Sequence, residues 1–164
     1  MPYINTDRLT LITFTAEMMK AAISQKSALE KVTTYRVADE YPSEMYKEIL
    51  PYKIKRYDKY PAENEWEGII VHKEDQTIIG DMGFRRRNED QEELELGYSI
   101  VPSYQGHGYA TEMAQAMMKW GLKQPDIKRI VASCDTDNFA SIRVLEKAGV
   151  RLLGEKDNKF HWST

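Results

Sequence analysis

The residues best equipped for chemistry fall in two short stretches. The first is Gln105-Gly106-His107-Gly108-Tyr109-Ala110-Thr111, two glycines one residue apart, running straight into a helical pattern. Glycine tolerates positive φ and lets a ligand come close to the backbone. The first turn of a helix offers unpaired N–H groups at the positive end of its dipole, so this junction suits a phosphate. A tight strand-to-helix connection without a ligand has the same spelling, and alone the turn does not decide between the two. Upstream, Glu95 shares a face of an alternating run with Gly97 and Ser99, small residues that leave room for something to approach. The second stretch holds Asn138, a good helix cap, and Ser141 three positions later. His72, His107 and His161 are scattered without metal-ligand spacing, and no metal is expected. Cys134 is the only cysteine, which excludes an intrachain disulfide, and no histidine near it in sequence would activate it as a nucleophile.

Two phosphate-binding readings fail on detail. A nucleotide P-loop needs Gly-Lys-Ser/Thr to reach a γ-phosphate and magnesium, and none follows here. A dinucleotide fingerprint needs three glycines in register and an acidic residue at the end of the next strand.

The elements that must carry these residues are legible from periodicity. Leu94, Leu96, Tyr98 and Ile100 alternate with Glu93, Glu95, Gly97 and Ser99, a strand that Pro102 must end. After the loop, Ala110, Met113, Ala114, Met117 and Gly121 form a helical stripe. Arg8–Phe14 predicts a first strand, and Thr15 caps a helix bearing Met18, Met19, Ala22 and Ile23. Pro42-Ser43 starts another helical stretch, which Pro51 must break, kink or restart. Trp66–His72 and Thr77–Phe84 read as a hairpin around Lys73-Glu74-Asp75-Gln76. Lys128–Cys134 predicts a buried strand. A helix follows from Asn138 to Gly149, which belongs at a left-handed C-cap, and then a last hairpin turns at Asp157-Asn158. Six of the ten tyrosines lie between Tyr35 and Tyr60, as packing for a helix–loop region or as substrate contacts. Arg85-Arg86-Arg87 gives way to the acidic run Glu89–Glu95, a solvated loop or a lure for a cationic amine.

Bulk properties narrow the function classes. At 164 residues, 41% hydrophobic and 30% charged, the chain suits a single domain spanning residues 1–164. A net charge of −3 argues against a nucleic-acid partner. The start of the chain does not read as a targeting segment, and no apolar stretch is long enough to span a membrane, so a cytoplasmic protein is expected.

Gly97-Tyr98-x-Ile100-x-Pro102 followed by Gln105-x-x-Gly108-x-Ala110 resembles the acetyl-CoA pyrophosphate loop of the GNAT superfamily of N-acetyltransferases. Asn138-Phe139-Ala140-Ser141 with Val144 to Gly149 resembles the same family, and Thr6-Asp7-Arg8-Leu9 resembles the opening of its ribosomal-protein N-terminal acetyltransferase branch. The resemblance covers nearly the whole chain. It implies an α+β fold, a central, mostly antiparallel sheet of about seven strands flanked by helices. It also implies acetyl transfer from acetyl-CoA directly to a primary amine: a protein N-terminus, a polyamine or another small amine. The backbone of Ile100 and Val101 would then pair with the pantetheine arm. The amides of Gln105, Gly106, His107, Gly108, Tyr109, Ala110 and Thr111 would hold the pyrophosphate, with Asn138 on the other side of the arm. Glu95 is the expected general base and Ser141 the expected donor near the sulfur. Many family members carry a tyrosine seven positions after the asparagine, where this chain has Leu145. That departure keeps a second reading open, a GNAT-like module that binds acyl-CoA without turnover. Monomer and homodimer both remain compatible with the sequence.

Overall fold

The computed structural model describes residues 3–86 and 92–164. The β-branched run near the start forms β2 (Leu9–Thr13), preceded by the two-residue β1 (Ile4–Asn5). Thr15 accepts from the Met18 amide and starts α1 (Ala16–Ser24), and α2 (Lys26–Thr33) follows at once. After the two-residue β3 (Arg36–Val37), Ser43 caps α3 (Glu44–Lys59) by accepting from the Tyr46 amide. Pro51 neither breaks nor restarts this helix. It lies on the exposed side, where losing one N–H and tilting a carbonyl toward water is tolerated.

A 3₁₀ turn at Pro61–Trp66 leads into the hairpin β4 (Glu67–His72) and β5 (Thr77–Arg86), then β6 (Glu93–Ile100). Next come α4 (Tyr109–Gly121), β7 (Arg129–Asp135), α5 (Phe139–Ala148), β8 (Arg151–Lys156) and β9 (Lys159–Ser163). The turn Asp157-Asn158 has both φ positive, 55° and 61°, the backbone a two-residue hairpin turn requires.

Among the described residues the sheet has nine strands in the order β1-β2-β4-β5-β6-β7-β9-β8, with β3 parallel to the first residues of β5. The expected seven fell short because β1 and β3 are too short to show a period. Most pairings are antiparallel; β6 and β7 run parallel, as strands joined by a crossover helix do. That crossover helix, α4, packs through Met113, Ala114, Met117 and Met118. A Cβ on Gly121 would lie 2.7 Å from the Phe84 ring, so glycine sets how closely α4 approaches β5. On the other face, α3 turns Tyr46, Leu50 and Tyr57 inward, and Phe14 stacks on Tyr46 at 6.4 Å. Among the described residues no helix is long and apolar enough to cross a membrane.

Candidate active site

β6 and β7 pair only at Glu93/Arg129, Leu94/Ile130 and Glu95/Val131. Beyond Glu95 the two strands part, β7 continuing along β9 while β6 continues along β5. The Val101 amide donates to the Ile79 carbonyl at 2.9 Å. In an antiparallel ladder facing pairs alternate between bonded and non-bonded. In this register Ser99, Gly97 and Glu95 therefore bond toward β5, while Ile100, Tyr98 and Leu96 turn their backbone groups toward the gap. Val101 thus departs from expectation. Its N–H is taken by Ile79 and its carbonyl by the Tyr104 amide, so Ile100 and Tyr98 are the residues with backbone facing the opening.

The gap opens into a cleft of about 390 Å³. β6 contributes Tyr98, Ser99 and Ile100. The loop and first turn of α4 contribute Tyr104, Gln105, Gly106, Gly108, Tyr109, Ala110 and Thr111. α5 and its cap close the far side with Asn138, Ala140, Ser141, Arg143, Val144 and Lys147. Nine of the residues singled out in the sequence are brought together here. His107 is exposed and does not line the cleft, nor does Val101.

The loop is shaped to leave amides open. Gly106 and Gly108 have φ of 82° and 81°, and Gly108 is the N-cap of α4, so no side chain caps its first amides. A run of N–H groups between positive-φ residues and a helix start makes an anion-binding concavity. A Cβ at Gly106 would meet nothing within 4 Å, consistent with its facing the open cleft. Several side chains fix this backbone. The Gln105 side-chain amide donates to the Ile100 carbonyl at 2.8 Å. Arg8 donates through Nη1 to the His107 carbonyl at 2.9 Å and through Nε to Glu112 Oε1 at 2.7 Å, and its guanidinium lies 4.5 Å from the centre of the Tyr109 ring. Thr6 Oγ donates to the other Glu112 oxygen at 2.5 Å, and these donors hold the Glu112 carboxyl below its ordinary pKa against the opposing effect of burial. The Tyr109 hydroxyl meets His72 Nε2 at 2.9 Å; because Nδ1 accepts from the Asp75 amide, Nε2 carries the proton in the neutral ring. The opening Thr6-Asp7-Arg8-Leu9 was legible as a family trait. Its clamp on the loop was not, because Glu112 lies about a hundred residues away.

At the bottom of the cleft, Asn138 Oδ1 accepts from the Ser141 amide at 3.1 Å and caps α5. Ser141 Oγ lies 2.6 Å from the Tyr98 hydroxyl, whose pKa burial raises. Leu145 is only 1% exposed and belongs to the core. A tyrosine hydroxyl therefore does reach this corner of the cleft, from β6 instead of α5.

The acidic residues behave otherwise than expected. Glu95 stands directly across from Arg85, which holds its Oε2 at 3.0 Å, and Glu95 does not line the cleft. A general base must lie within hydrogen-bond reach of the proton it takes, and a carboxylate outside the cleft lining and engaged by a guanidinium does not meet that condition. Glu92 pairs with Lys128 and Glu93 with Arg129, each at 2.7 Å, so this part of the acidic run is matched by cations. Glu89, Asp90 and Gln91 lie outside the described residues. In the tyrosine-rich segment Tyr41, Tyr46 and Tyr57 are buried, while Tyr60 takes Arg56 and Lys59 on its ring. Those three buried rings are core, as packing required.

Sequence reasoning passed over two acids, Glu67 and Asp81, on neighbouring strands, 3% and 4% exposed. Each sits inside an apolar run and reads as a strand residue. Among the described residues no group of acids, histidines and cysteine has the geometry to hold a metal ion.

Comparison with known proteins gives these features a family. Residues 8–151 match the family model described as an acetyltransferase (GNAT) domain. The chain is 30% identical over 163 residues to the uncharacterized N-acetyltransferase YjdG of Bacillus subtilis, covering 99% of this chain and 97% of that protein. It is 31% identical over 85 residues to the ribosomal-protein-serine acetyltransferase of Escherichia coli, covering 52% and 47%. A crystal structure of a GNAT-family acetyltransferase from Bacillus anthracis superposes with a TM-score of 0.68 at 22% identity, covering 99% and 98%.

Proposed function

The chain belongs to the GNAT acetyltransferase family, and from that membership we propose that it carries the acetyl group of acetyl-CoA directly to a primary amine. The observation that supports this most is the parting of β6 from β7 after Glu95, which opens a cleft running to the uncapped start of α4. Acetyl-CoA supplies a thioester, whose carbonyl an unprotonated amine can attack. The amides from Gly106 to Thr111 are assigned to the pyrophosphate, and the cations Arg143 and Lys147 flank the same cleft. Ile100 and Tyr98 present backbone groups for the amide-bearing arm, with Asn138 opposite. Rate enhancement then comes mainly from holding amine and thioester in attack geometry, with backbone N–H groups and hydroxyls near the developing oxyanion.

Ser141 and Tyr98 are assigned to the sulfur. A thiol has a pKa of about 8–9, judged from cysteine, so its thiolate leaves at neutral pH without an obligatory acid. A hydrogen bond from the hydroxyl pair suffices, and Leu145 does not weigh against turnover. The acceptor class we favour is a peptide N-terminus or a small cationic amine, supported by the buried acids behind Ser99 and by the name of the Escherichia coli relative. The test is thiol release from acetyl-CoA by the purified protein with a panel of peptides, polyamines and amino acids. Turnover with no amine in the panel, despite calorimetric binding of acetyl-CoA, would leave only a binding module.

A further inference from the structure

Ser99 belongs to both faces of the question: it lines the cleft, yet its hydroxyl points away from the donor side. Ser99 Oγ donates to Asp81 Oδ2 at 2.9 Å, directly across the β5–β6 ladder. Gly97, next along the same face, is exposed, and a Cβ there would meet nothing within 4 Å. The floor in front of Ser99 is therefore open.

Behind Asp81 lies a closed polar group. Glu67 of β4 receives the Tyr46 hydroxyl on Oε1 at 2.5 Å and Lys53 Nζ on Oε2 at 2.8 Å, with the Tyr57 hydroxyl 3.4 Å from Oε2. Lys53 is a single cation against two buried acids. Glu67 has its oxygens occupied by these three donors, whereas Asp81 has the Ser99 hydroxyl. Burial first, and then the charge of nearby Asp81, raise the pKa of the Tyr41 hydroxyl, which approaches Asp81 but does not reach hydrogen-bond geometry. Of the two acids, the one with spare acceptor capacity is the one joined to the cleft.

We propose that Asp81, acting through the Ser99 hydroxyl, takes up the proton that the acceptor ammonium must lose before it can attack. The assignment rests on the acetyl-transfer reading. As one ammonium proton passes to Ser99 Oγ, the Ser99 hydroxyl proton moves to Asp81, leaving a neutral amine and a neutral carboxyl. The amine nitrogen bonds to the thioester carbon, and the carbonyl electron pair moves to oxygen. Collapse breaks the C–S bond, and the second nitrogen proton goes to the departing sulfur beside Tyr98 and Ser141. Asp81 then returns its proton to water through Ser99. An alkylamine is almost wholly protonated in neutral water, and desolvation in the cleft lowers its pKa toward that of the acceptor acid. Burial and the charge of Glu67 raise the Asp81 carboxyl to about 7, with Ser99, Lys53 and Tyr41 acting in the opposite direction. A base matched to neutral pH transfers protons most effectively.

The experiment uses the intact protein, acetyl-CoA and two acceptors, an alkylamine and an arylamine that is already neutral at pH 7. Wild-type turnover of the alkylamine tests the acetyl-transfer reading by itself, and without it both proposals fall together. Given turnover, Asp81→Asn is expected to lower kcat/KM for the alkylamine about 100-fold, in the range of general-base effects. The loss should be under about tenfold for the arylamine, which has no proton to shed before attack, and acetyl-CoA affinity should stay at the wild-type value. The bend in kcat/KM near pH 7 should vanish. Ser99→Ala should reproduce these effects, and Ser99→Thr, which restores a hydroxyl, should recover most of the activity. A folded Asp81→Asn protein that keeps the bend, or that loses equally on both acceptors, overturns the proposal. If Asp81→Asn does not fold, the serine pair decides: wild-type kcat/KM in Ser99→Ala overturns it.

Discussion

β6 carries two hydroxyl pairs on opposite faces, and they are built on different principles. On the even face Tyr98 meets Ser141 in a cleft walled by small residues, backbone amides and surface cations. On the odd face Ser99 meets Asp81 above a second buried acid, Glu67, with three buried tyrosines and one lysine. The first face presents backbone groups, which cost little to keep in water. The second stores uncompensated charge away from water, which destabilises the fold and is tolerated where chemistry needs it. Under the proposed function, a donor that is always the same molecule suits a fixed backbone cradle, and a proton that must come and go suits a buried acid whose pKa burial has raised.

The sharpest way to break the donor side is at Gly108. Its φ of 81° is strained for any β-branched residue, and a Cβ there would lie 3.5 Å from Nη2 of Arg8, the side chain that holds the loop. Gly108→Val should lose several charge-assisted hydrogen bonds, each worth about 1.5–3 kcal/mol, and acetyl-CoA affinity should drop by at least about 100-fold in a folded protein. Calorimetry showing wild-type affinity would remove the loop from the binding site.

The odd face makes its own prediction in stability. The folded Asp81 carboxyl is raised to about 7 from an ordinary 3.8, so between those values the native state holds a proton that the unfolded chain releases. Native stability therefore falls as pH rises through that window and levels off above it. Asn cannot ionise, so the stability of Asp81→Asn relative to wild type should grow between about pH 4 and 7. The whole shift from 3.8 to about 7 is worth on the order of 4 kcal/mol at ~1.36 kcal/mol per pH unit, of which roughly 3 kcal/mol falls above pH 5. Urea melts at pH 5 and 8 measure it; a difference that does not change with pH would mean Asp81 is not perturbed.

Ser141→Ala tests the even face more gently. Losing one hydrogen bond of about 0.5–1.5 kcal/mol to the leaving sulfur should slow kcat roughly tenfold, with acetyl-CoA affinity intact. Tyr98→Phe should cost a similar amount, and the double variant less than the product of the two, because each hydroxyl orients the other. Full multiplicativity would show that the 2.6 Å contact plays no part in turnover.

The two faces also differ in how far the sequence revealed them. The cradle was legible because a backbone site leaves few spellings: glycines where φ must be positive, a proline where the strand ends, a cap before α5. Asp81 and Glu67 were not, because each is one acid inside an apolar run. Their partners, Ser99, Tyr46 and Lys53, come from other elements, and only the sheet register brings them together. The same holds for Arg8 and Glu112. Pro51 was a weaker signal than it looked, since of break, kink or restart the first and last do not occur, and Leu50 and Tyr57 pack on either side of it. Val101 and Glu95 had the right residue types for their expected roles, and their partners were invisible from spacing: Ile79 for the amide, Arg85 for the carboxylate.

Glu95 gives the smallest effect and the sharpest distinction between the faces. It lies on the odd face, as Asp81 does, four ladder positions from Ser99, and in sequence it is the more obvious base. The difference is in what holds it. Arg85 is mostly exposed and engages the Glu95 carboxylate, which does not line the cleft, so an acceptor bound there does not meet it. An ion pair with one partner in solvent contributes about 0–1 kcal/mol to stability. Glu95→Gln should therefore change kcat and kcat/KM for an alkylamine by no more than about threefold, keep the bend near pH 7 and leave the melting temperature nearly unchanged. Asp81→Asn, measured beside it, should do the reverse on the first two counts. A 100-fold loss in Glu95→Gln together with loss of the pH bend would return the proton-accepting role to Glu95, and Asp81 would then be only a buried acid in the core.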